Sequence, residues 1–263
     1  MRGNPAVSGV LPLMLGEGTK AAAALMHSGK EYVCLMELHG DVSDDGLADA
    51  FGFFTGEIYQ VPPVRAAVAR KPRVRTVYYV ELLEREGRMV LFKVGCSGGT
   101  YIRKLCHDIG EYLGVGAHME ELRRTRAGPF TEDTSHTLLE LYEAWTDYKE
   151  TGREDTLKNL IQPVEECVKH VPKVYILDTA VDAVCHGADL MAAGVSKLET
   201  GVAKGDFVAV LTLKGELVGF GVAAMDSEEM VNASEGVAVD VTRVVMPRST
   251  YPPVWKGGLQ RVS

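Results

Sequence analysis

Two strand-like segments joined by a short turn place the strongest constraint on the fold of this chain. Residues 76–83 and 88–96 are rich in Val, Tyr, Leu and Phe, and the sequence Arg-Glu-Gly between them is typical of a turn. Residues 31–38 predict another strand, and the apolar spacing at 45–54 predicts a helix. The strands do not alternate regularly with helices, as a parallel sheet requires. We therefore expect an α+β domain with a mixed, mostly antiparallel sheet.

A glycine-rich break and a helix follow this hairpin. Apolar residues recur with helical spacing at Ile102, Leu105, Cys106, Ile109 and Leu113. Thr100 is the predicted N-cap, and Gly114 marks the predicted end of the helix. This places Tyr101 and Arg103 in the first helical turn, where free backbone N–H groups favour a nearby anion.

Charge is distributed unevenly along the chain, whose formal net charge is -8. Residues 60–126 contain thirteen Lys and Arg against seven Asp and Glu, whereas residues 131–170 contain four against ten. The acidic stretch predicts connecting helices at 137–148, 155–161 and 163–170. The basic stretch is either an ordinary solvated surface or a surface for a polyanion, and the net charge does not exclude nucleic acid as a partner.

A second structural unit is predicted from Pro172 onward. Short strand-like segments with glycine-marked turns fill about eighty residues there, which is typical of a small β-barrel-like module. We therefore expect a first domain at residues 1–171, a barrel-like domain at residues 172–248 and a tail at residues 249–263 that is poorly ordered at its end.

Cysteine, histidine and hydropathy patterns exclude several classes of protein. The five cysteines lack the close pairs that hold a metal ion, so we expect buried free thiols. The seven histidines also lack ligand spacing, and we predict neither a metal nor a cofactor. The apolar runs are far shorter than the roughly 18 residues of a membrane span, and no signal segment opens the chain. A cytoplasmic protein without a membrane partner is expected.

Four short motifs, followed by a fifth, occur in the order found in one enzyme family. They read NPAVSGVLP at 4–12, KEY at 30–32, GTYIR at 99–103, GAHMEELRRTRAGPF at 116–130 and HGADLMAAGV at 186–195. From residue 4 to about residue 255, the chain resembles the archaeal dyskerin-type RNA pseudouridine synthases of the TruB class, the catalytic subunits of H/ACA guide-RNA particles. The fifth motif resembles part of a PUA domain.

This resemblance implies a pseudouridine synthase-like domain followed by a PUA-like β-barrel, and an isomerisation that needs no cofactor. A flipped-out uridine loses its N-glycosidic bond, the base turns, and C5 is joined to C1′. Tyr32 matches the tyrosine that stacks on the base, and Tyr101 matches the tyrosine implicated in proton handling. Arg103 matches the arginine that pairs with the catalytic carboxylate, and Leu122 matches an apolar wall of the pocket.

The resemblance also implies RNA partners. These are an H/ACA guide RNA, a ribosomal or transfer RNA substrate, and the small proteins of the H/ACA particle. The residues expected to contact RNA lie in the basic middle segment and at the start of the PUA-like glycine loop. They are Arg65, Arg70, Lys71, Arg73, Arg75, Arg123, Arg124, His186 and Gly187.

One departure from the family pattern concerns the reacting carboxylate. The family has Asp where this chain has Asn4. A neutral amide cannot attack a sugar carbon or balance the charge of Arg103. Pro5 lacks the N–H that the usual deamidation route needs. We therefore expect little or no pseudouridine formation by this chain, although its family is enzymatic.

The start of the chain also departs from the family. Residues 1–3 do not match the family's Gly-Thr-Leu, and the expected upstream segment with its Lys-Pro motif is absent, which predicts a truncated N-terminus. Three alternatives stay open. The chain is a non-catalytic RNA-binding scaffold, an incomplete product of a gene whose full version carries the Asp, or a standalone tRNA pseudouridine synthase.

Overall fold

The structure, a computed structural model, describes residues 7–26, 28–62 and 71–253. Contacts divide these residues into two compact units. The first comprises the described parts of 1–13 and 25–160, and the second those of 14–24 and 161–263. Within the described ranges, no helix is both long and apolar enough to cross a bilayer.

The elements up to residue 160 are short helices and strands of very different lengths. In chain order they are β1 (Val7–Gly9), α1 (Ala22–Met26), β2 (Lys30–Leu38), α2 (Asp44–Phe53), β3 (Gly56–Gln60), β4 (Arg73–Glu86), β5 (Met89–Cys96), α3 (Ile102–Tyr112), β6 (Ala117–Ala127), β7 (Phe130–Thr131), α4 (Leu138–Thr151) and α5 (Asp155–Leu160). Short 3-10 segments lie at Gly16–Ala21 and Glu132–Thr134.

A seven-stranded sheet organises the first unit. Its strands lie in the order β1-β6-β2-β5-β4-β3, and β7 pairs with β6. The short β1 runs parallel to β6, whereas the other described pairings in this sheet are antiparallel. The predicted mixed, mostly antiparallel sheet is therefore confirmed.

The core of the first unit lies between the sheet and helices α2 and α3. Cys34, Met36 and Leu38 alternate along β2 and are buried, as expected for the inner face of a strand. The predicted apolar stripe of α3 is buried at Ile102, Leu105, Cys106 and Ile109. All five cysteines are buried free thiols, as predicted, and burial raises the pKa of the Cys96 thiol to about 11.

The predicted start of α3 is wrong by one residue. The N-cap is Tyr101, and its side chain makes no capping hydrogen bond. Thr100 does not cap the helix, because its hydroxyl donates to the carbonyl of Ser97 at 2.9 Å and closes the preceding turn. Arg103 does lie in the first helical turn, and Gly114 follows the helix with φ of 73°.

The structure also differs from the sequence-based predictions at β6 and at residues 163–170. No strand was predicted at β6, because charged residues fill much of its sequence and conceal the apolar alternation. Pairing with β1 and β2 on its two sides overrides that weak propensity. The helix predicted at 163–170 is a short 3-10 segment, Val164–Val168.

The second unit is built around its own six-stranded sheet. Its elements are β8 (Lys173–Ile176), α6 (Asp178–Cys185), β9 (Leu190–Met191), β10 (Val195–Leu198), β11 (Phe207–Thr212), β12 (Leu217–Ala223), α7 (Ser227–Asn232) and β13 (Val237–Val244). The strand order is β10-β8-β11-β12-β13-β9, and β8 and β11 pair in parallel. Short strands around one buried apolar cluster agree with the predicted barrel-like module.

The segment after residue 248 does not begin as a loose tail. Tyr251 is 8% exposed and packs against the apolar core of the second unit. Its hydroxyl donates to Oε2 of Glu216 at 2.6 Å, and the Lys214 ammonium lies over its ring. The predicted end of the tail, residues 254–263, lies outside the described residues.

Candidate functional site

Three strands bring several of the predicted site residues together. β1 pairs with β6 so that Val7 lies opposite Leu122 and Gly9 opposite Arg124, while Tyr32 of β2 lies opposite Arg124 on the other side. Gly9 has φ of 98°, and a Cβ there would lie 2.2 Å from the carbonyl oxygen of Arg124. Glycine is therefore required for this close approach. Asn4, three residues before β1, lies outside the described residues.

Arg124 is a structural centre of this region. Its Nε donates to the carbonyl of Val10 at 2.7 Å, and the Val10 N–H donates to the Arg124 carbonyl at 2.8 Å. Its guanidinium also lies near the Tyr32 hydroxyl. Burial raises the pKa of Tyr32, and Arg124 opposes that shift. The sequence shows a cluster of arginines around Arg124 but does not reveal which of them points inward.

Tyr101 is held by a residue that sequence reasoning missed. Gln60, at the end of β3, is 2% exposed. Its Oε1 accepts from the Tyr101 N–H at 2.9 Å, and its Nε2 donates to the Tyr101 carbonyl at 3.2 Å. This two-point contact satisfies a buried amide and fixes the backbone from which the Tyr101 side chain projects. No signal in the sequence distinguishes Gln60 from an ordinary loop residue.

Lys30 closes the end of α1 next to Tyr32. Its ammonium donates to the carbonyls of Leu25 at 2.8 Å, Met26 at 3.1 Å and Ser28 at 2.8 Å. Burial lowers the pKa of Lys30, and the charge of Arg124 adds to that effect. A cation is well suited to the C-terminal carbonyls of a helix, so Lys30 fixes the loop that leads into β2.

The predicted catalytic arginine is exposed. Arg103 lies in the first turn of α3, and among the described residues none forms an ion pair with it. Its predicted pairing with position 4 lies outside the described part of the chain. Leu122, predicted as an apolar wall, is half-buried and packs against the core.

The predicted RNA-contact residues of the first unit fall into three groups. Lys71 and Arg73 are exposed at the start of β4. Arg75 and Arg123 have protein partners: Arg75 Nε donates to the Gly99 carbonyl at 3.1 Å, and Arg123 Nε lies 2.6 Å from Oε1 of Glu132. Arg65 and Arg70 lie outside the described residues.

His186 and Gly187 lie at the end of α6 in the second unit. His186 Nδ1 donates to the Asp182 carbonyl at 2.8 Å, and Gly187 turns the chain with φ of 94°. Together with Lys20 and Arg248 they line an open depression of about 470 Å³. The two cationic side chains make this depression suitable for a phosphate-bearing ligand.

Three known protein families match the chain in sequence. The TruB family pseudouridylate synthase N-terminal domain matches residues 4–47, and the tRNA pseudouridylate synthase B C-terminal domain matches residues 103–169. The PUA domain matches residues 172–245. The three matches follow one another along the chain without overlap.

Curated relatives match nearly the whole chain. "Probable tRNA pseudouridine synthase B" of Pyrococcus furiosus is 54% identical over 257 residues, which cover 96% of this chain and 75% of the relative. The protein of the same name from Methanopyrus kandleri is 51% identical over 252 residues, with coverages of 96% and 75%.

Solved structures match equally well. The chain is similar to a chain of a Cbf5-Nop10-Gar1 complex, with a TM-score of 0.91, 54% identity and coverage of 95% of this chain and 76% of that one. It is also similar to a chain of an H/ACA RNP bound to a substrate RNA containing 2'-deoxyuridine, with a TM-score of 0.86, 52% identity and coverages of 95% and 76%.

Proposed function

This chain belongs to the TruB family of pseudouridine synthases, and we propose that its site is built to isomerise uridine to pseudouridine in RNA within an H/ACA guide-RNA particle, with little turnover while Asn4 stands in place of the carboxylate. The observation that carries this proposal is the close likeness, in sequence and in fold, to the chain of the Cbf5-Nop10-Gar1 complex. Its partners are then the guide RNA, the substrate RNA and the small particle proteins represented by Nop10 and Gar1.

The proposed chemistry rearranges the substrate without a cofactor. The N-glycosidic bond between N1 and C1′ breaks, the base turns, and C5 bonds to C1′. C5 then loses its proton to solvent and N1 takes up a proton, so the product is an isomer of the substrate. Tyr32 stacks on the base, Leu122 provides an apolar wall, and Tyr101 handles the proton. The paired placement of Tyr32 with Arg124 and the Gln60 contact to Tyr101 support these roles. Asn4 occupies the position of the carboxylate that would partner Arg103.

The proposal gives each of two domains a separate role, with the chemistry in the first and RNA binding in the second. We place the synthase domain at residues 1–171 and the PUA domain at residues 172–248. His186, Gly187 and Arg248 of the PUA domain contact RNA together with Lys20, which belongs to the same compact unit and lines the same depression. Lys71, which precedes β4, and Arg73, its first residue, are both exposed and contribute phosphate contacts in the synthase domain.

We expect this chain to bind RNA even if Asn4 abolishes catalysis. With about five phosphate contacts, the logarithm of the association constant should fall against the logarithm of salt concentration with a slope near -3.5. A salt titration of H/ACA guide-RNA binding, read by fluorescence anisotropy, measures this slope. A flat dependence on salt, or no affinity at low salt, would contradict the proposal.

A second candidate function is standalone modification of tRNA, which the names of the curated relatives favour. Tritium release from C5-labelled uridine distinguishes the two functions. We expect the Asn4→Asp variant, assembled with small particle proteins, to release tritium from a target RNA only with its matching guide. A guide with an altered pairing sequence is the control. Equal release from free tRNA without a guide would favour the standalone enzyme.

The non-catalytic scaffold predicts a different pattern in the same experiments. Guide-RNA binding would show the expected salt slope, whereas neither the parent chain nor the Asn4→Asp variant would release tritium from any substrate.

We also propose that the protein acts in the cytoplasm, because its relatives are archaeal RNA-modifying proteins.

A further inference from the structure

We propose that Glu37, His118 and Glu120 bind a divalent transition-metal ion of the Zn²⁺ class on the outer face of the first sheet. His118 Nε2 lies 2.5 Å from Oε1 of Glu120 and 3.8 Å from Oε2 of Glu37. The three ligand atoms all lie within 4.8 Å of one another. This cluster is separate from the candidate active site, since Glu37 is five residues, about 17 Å, along β2 from Tyr32.

The backbone of two central strands positions these three side chains. Glu37 of β2 lies directly opposite His118 of β6. Glu120 lies at a register shift, where Met36 pairs with Met119 and Leu35 pairs with Glu121. A bulge of this kind re-aims a side chain, and here it leaves Glu120 without a partner in the register and beside His118. The site is therefore built on strands rather than on a loop.

The spacing of the ligand atoms suits a small cation. Zn²⁺ bonds to imidazole nitrogen and carboxylate oxygen are about 2.0–2.2 Å long, so tetrahedral ligand atoms lie about 3.3 Å apart. The observed separations of 2.5 Å and 3.8 Å bracket that value. The third separation, between the two carboxylates, is at most 4.8 Å, so shifts of about 1–2 Å in exposed side chains would complete the geometry.

A second histidine orients the first. His39 Nε2 and His118 Nδ1 form a hydrogen bond at 2.8 Å. Without a bound ion, His118 Nε2 also hydrogen-bonds Oε1 of Glu120 at 2.5 Å, so Nε2 carries a proton in that arrangement. When an ion binds, this proton leaves, Nδ1 donates to His39, and the Nε2 lone pair faces the ion, as in metal sites where an outer partner fixes the tautomer. His39 is itself held, because its backbone N–H donates to the Gly116 carbonyl at 3.0 Å and its ring Nδ1 lies 2.9 Å from the ideal Cβ position of Gly116.

Charge and exposure define the class of ligand. Two carboxylates on neighbouring strands repel each other, and a bound cation removes that repulsion. An imidazole ligand favours zinc-like ions over Mg²⁺ and Ca²⁺, which prefer oxygen. The side chains of Glu37, His118 and Glu120 are 43%, 48% and 42% exposed, so the ion can enter from solvent and retain water as a further ligand.

The test is calorimetric titration of the full chain, purified without a histidine tag, with ZnCl₂ alone. We expect one saturable site per chain. Binding at this site should be lost in His118→Asn and in the Glu37→Gln, Glu120→Gln double variant. His39→Phe should weaken Zn²⁺ binding by about 10–100-fold, because it removes the outer partner while keeping a ring. All of these positions are exposed, so circular dichroism should show unchanged folding.

The matched control is His107→Gln, since His107 is an exposed histidine on α3 away from the cluster residues in sequence. It should bind Zn²⁺ like the parent. Co²⁺ provides a second readout, because tetrahedral nitrogen and oxygen ligation gives visible absorption that should disappear in His118→Asn. Absence of saturable binding in the parent, or equal binding by the His118→Asn variant, would overturn the proposal.

Discussion

Replacing Asn4 by Asp is expected to raise the rate of pseudouridine formation by about 10³-fold or more, because loss of a nucleophilic group typically costs at least that much. The amide of Asn4 has the size of the family carboxylate but no charge. A carboxylate at this position would supply both the reacting group and a charge partner for Arg103. Tritium release from C5-labelled uridine, at saturating guide and substrate, measures the difference.

Two controls separate the carboxylate from general effects of added charge. Asn4→Ala should be as slow as the parent chain, since neither has a carboxylate at position 4. Asn159→Asp, which adds the same charge on α5, should also leave the rate of the parent unchanged. If the parent and Asn4→Asp react at equal rates, another residue of the chain carries the reaction.

Gly110→Ala is expected to destabilise the first unit by about 3 kcal/mol or more, at the upper end of the range for overpacking. Gly110 lies in α3, and a Cβ there would lie 2.1 Å from the backbone nitrogen of Ala117 at the start of β6. The chain turns sharply after α3, and the N–H groups of Val115 and Gly116 both donate to the Gly110 carbonyl in this turn. The nearest atoms belong to Gly116 and Ala117, and these atoms cannot move aside as the end of a flexible side chain can.

A glycine-to-alanine substitution in α2 should instead raise the free energy of unfolding of the first unit. Gly52 has no atom within 4 Å of its ideal Cβ position, so Gly52→Ala should stabilise the first unit by about 0.5–1 kcal/mol. Hydrogen exchange of the β2 and β6 amides, followed against urea concentration, reports on this unit alone. Equal effects of the two substitutions would show that α3 does not approach β6 as closely as described.

The sequence predicts the fold best where one local signal suffices. The β4–β5 hairpin and the buried stripe of α3 follow from alternation and helical spacing. The sequence does not reveal β6, because its charged residues carry no strand signal until β1 and β2 pair with it. The cap of α3 depends on a similar long-range effect, since Gln60 satisfies the Tyr101 N–H from 41 positions away.

Family motifs identify the candidate site residues, but not how those residues are held. KEY and GTYIR single out Tyr32, Tyr101 and Arg103, and their functional roles stay predictions. Arg124 and Lys30 show why the motifs do not predict the contacts that hold these residues in place. Each makes its bonds to backbone carbonyls, which every sequence offers at every position, so only the folded chain shows which carbonyls are near.

The Gln60 and Arg75 contacts also bear on how the family can vary. Gln60 ends β3 and binds Tyr101, while Arg75, near the start of β4, binds the carbonyl of Gly99. Both ends of the connection between β3 and β4 are thus tied to the same short turn. Since the entropy of closing a loop rises only slowly with its length, insertions or deletions between these anchors cost little. Changes in the length or sequence of that connection should therefore leave Tyr101 in place, while they alter the predicted RNA contacts of Arg65, Arg70 and Lys71.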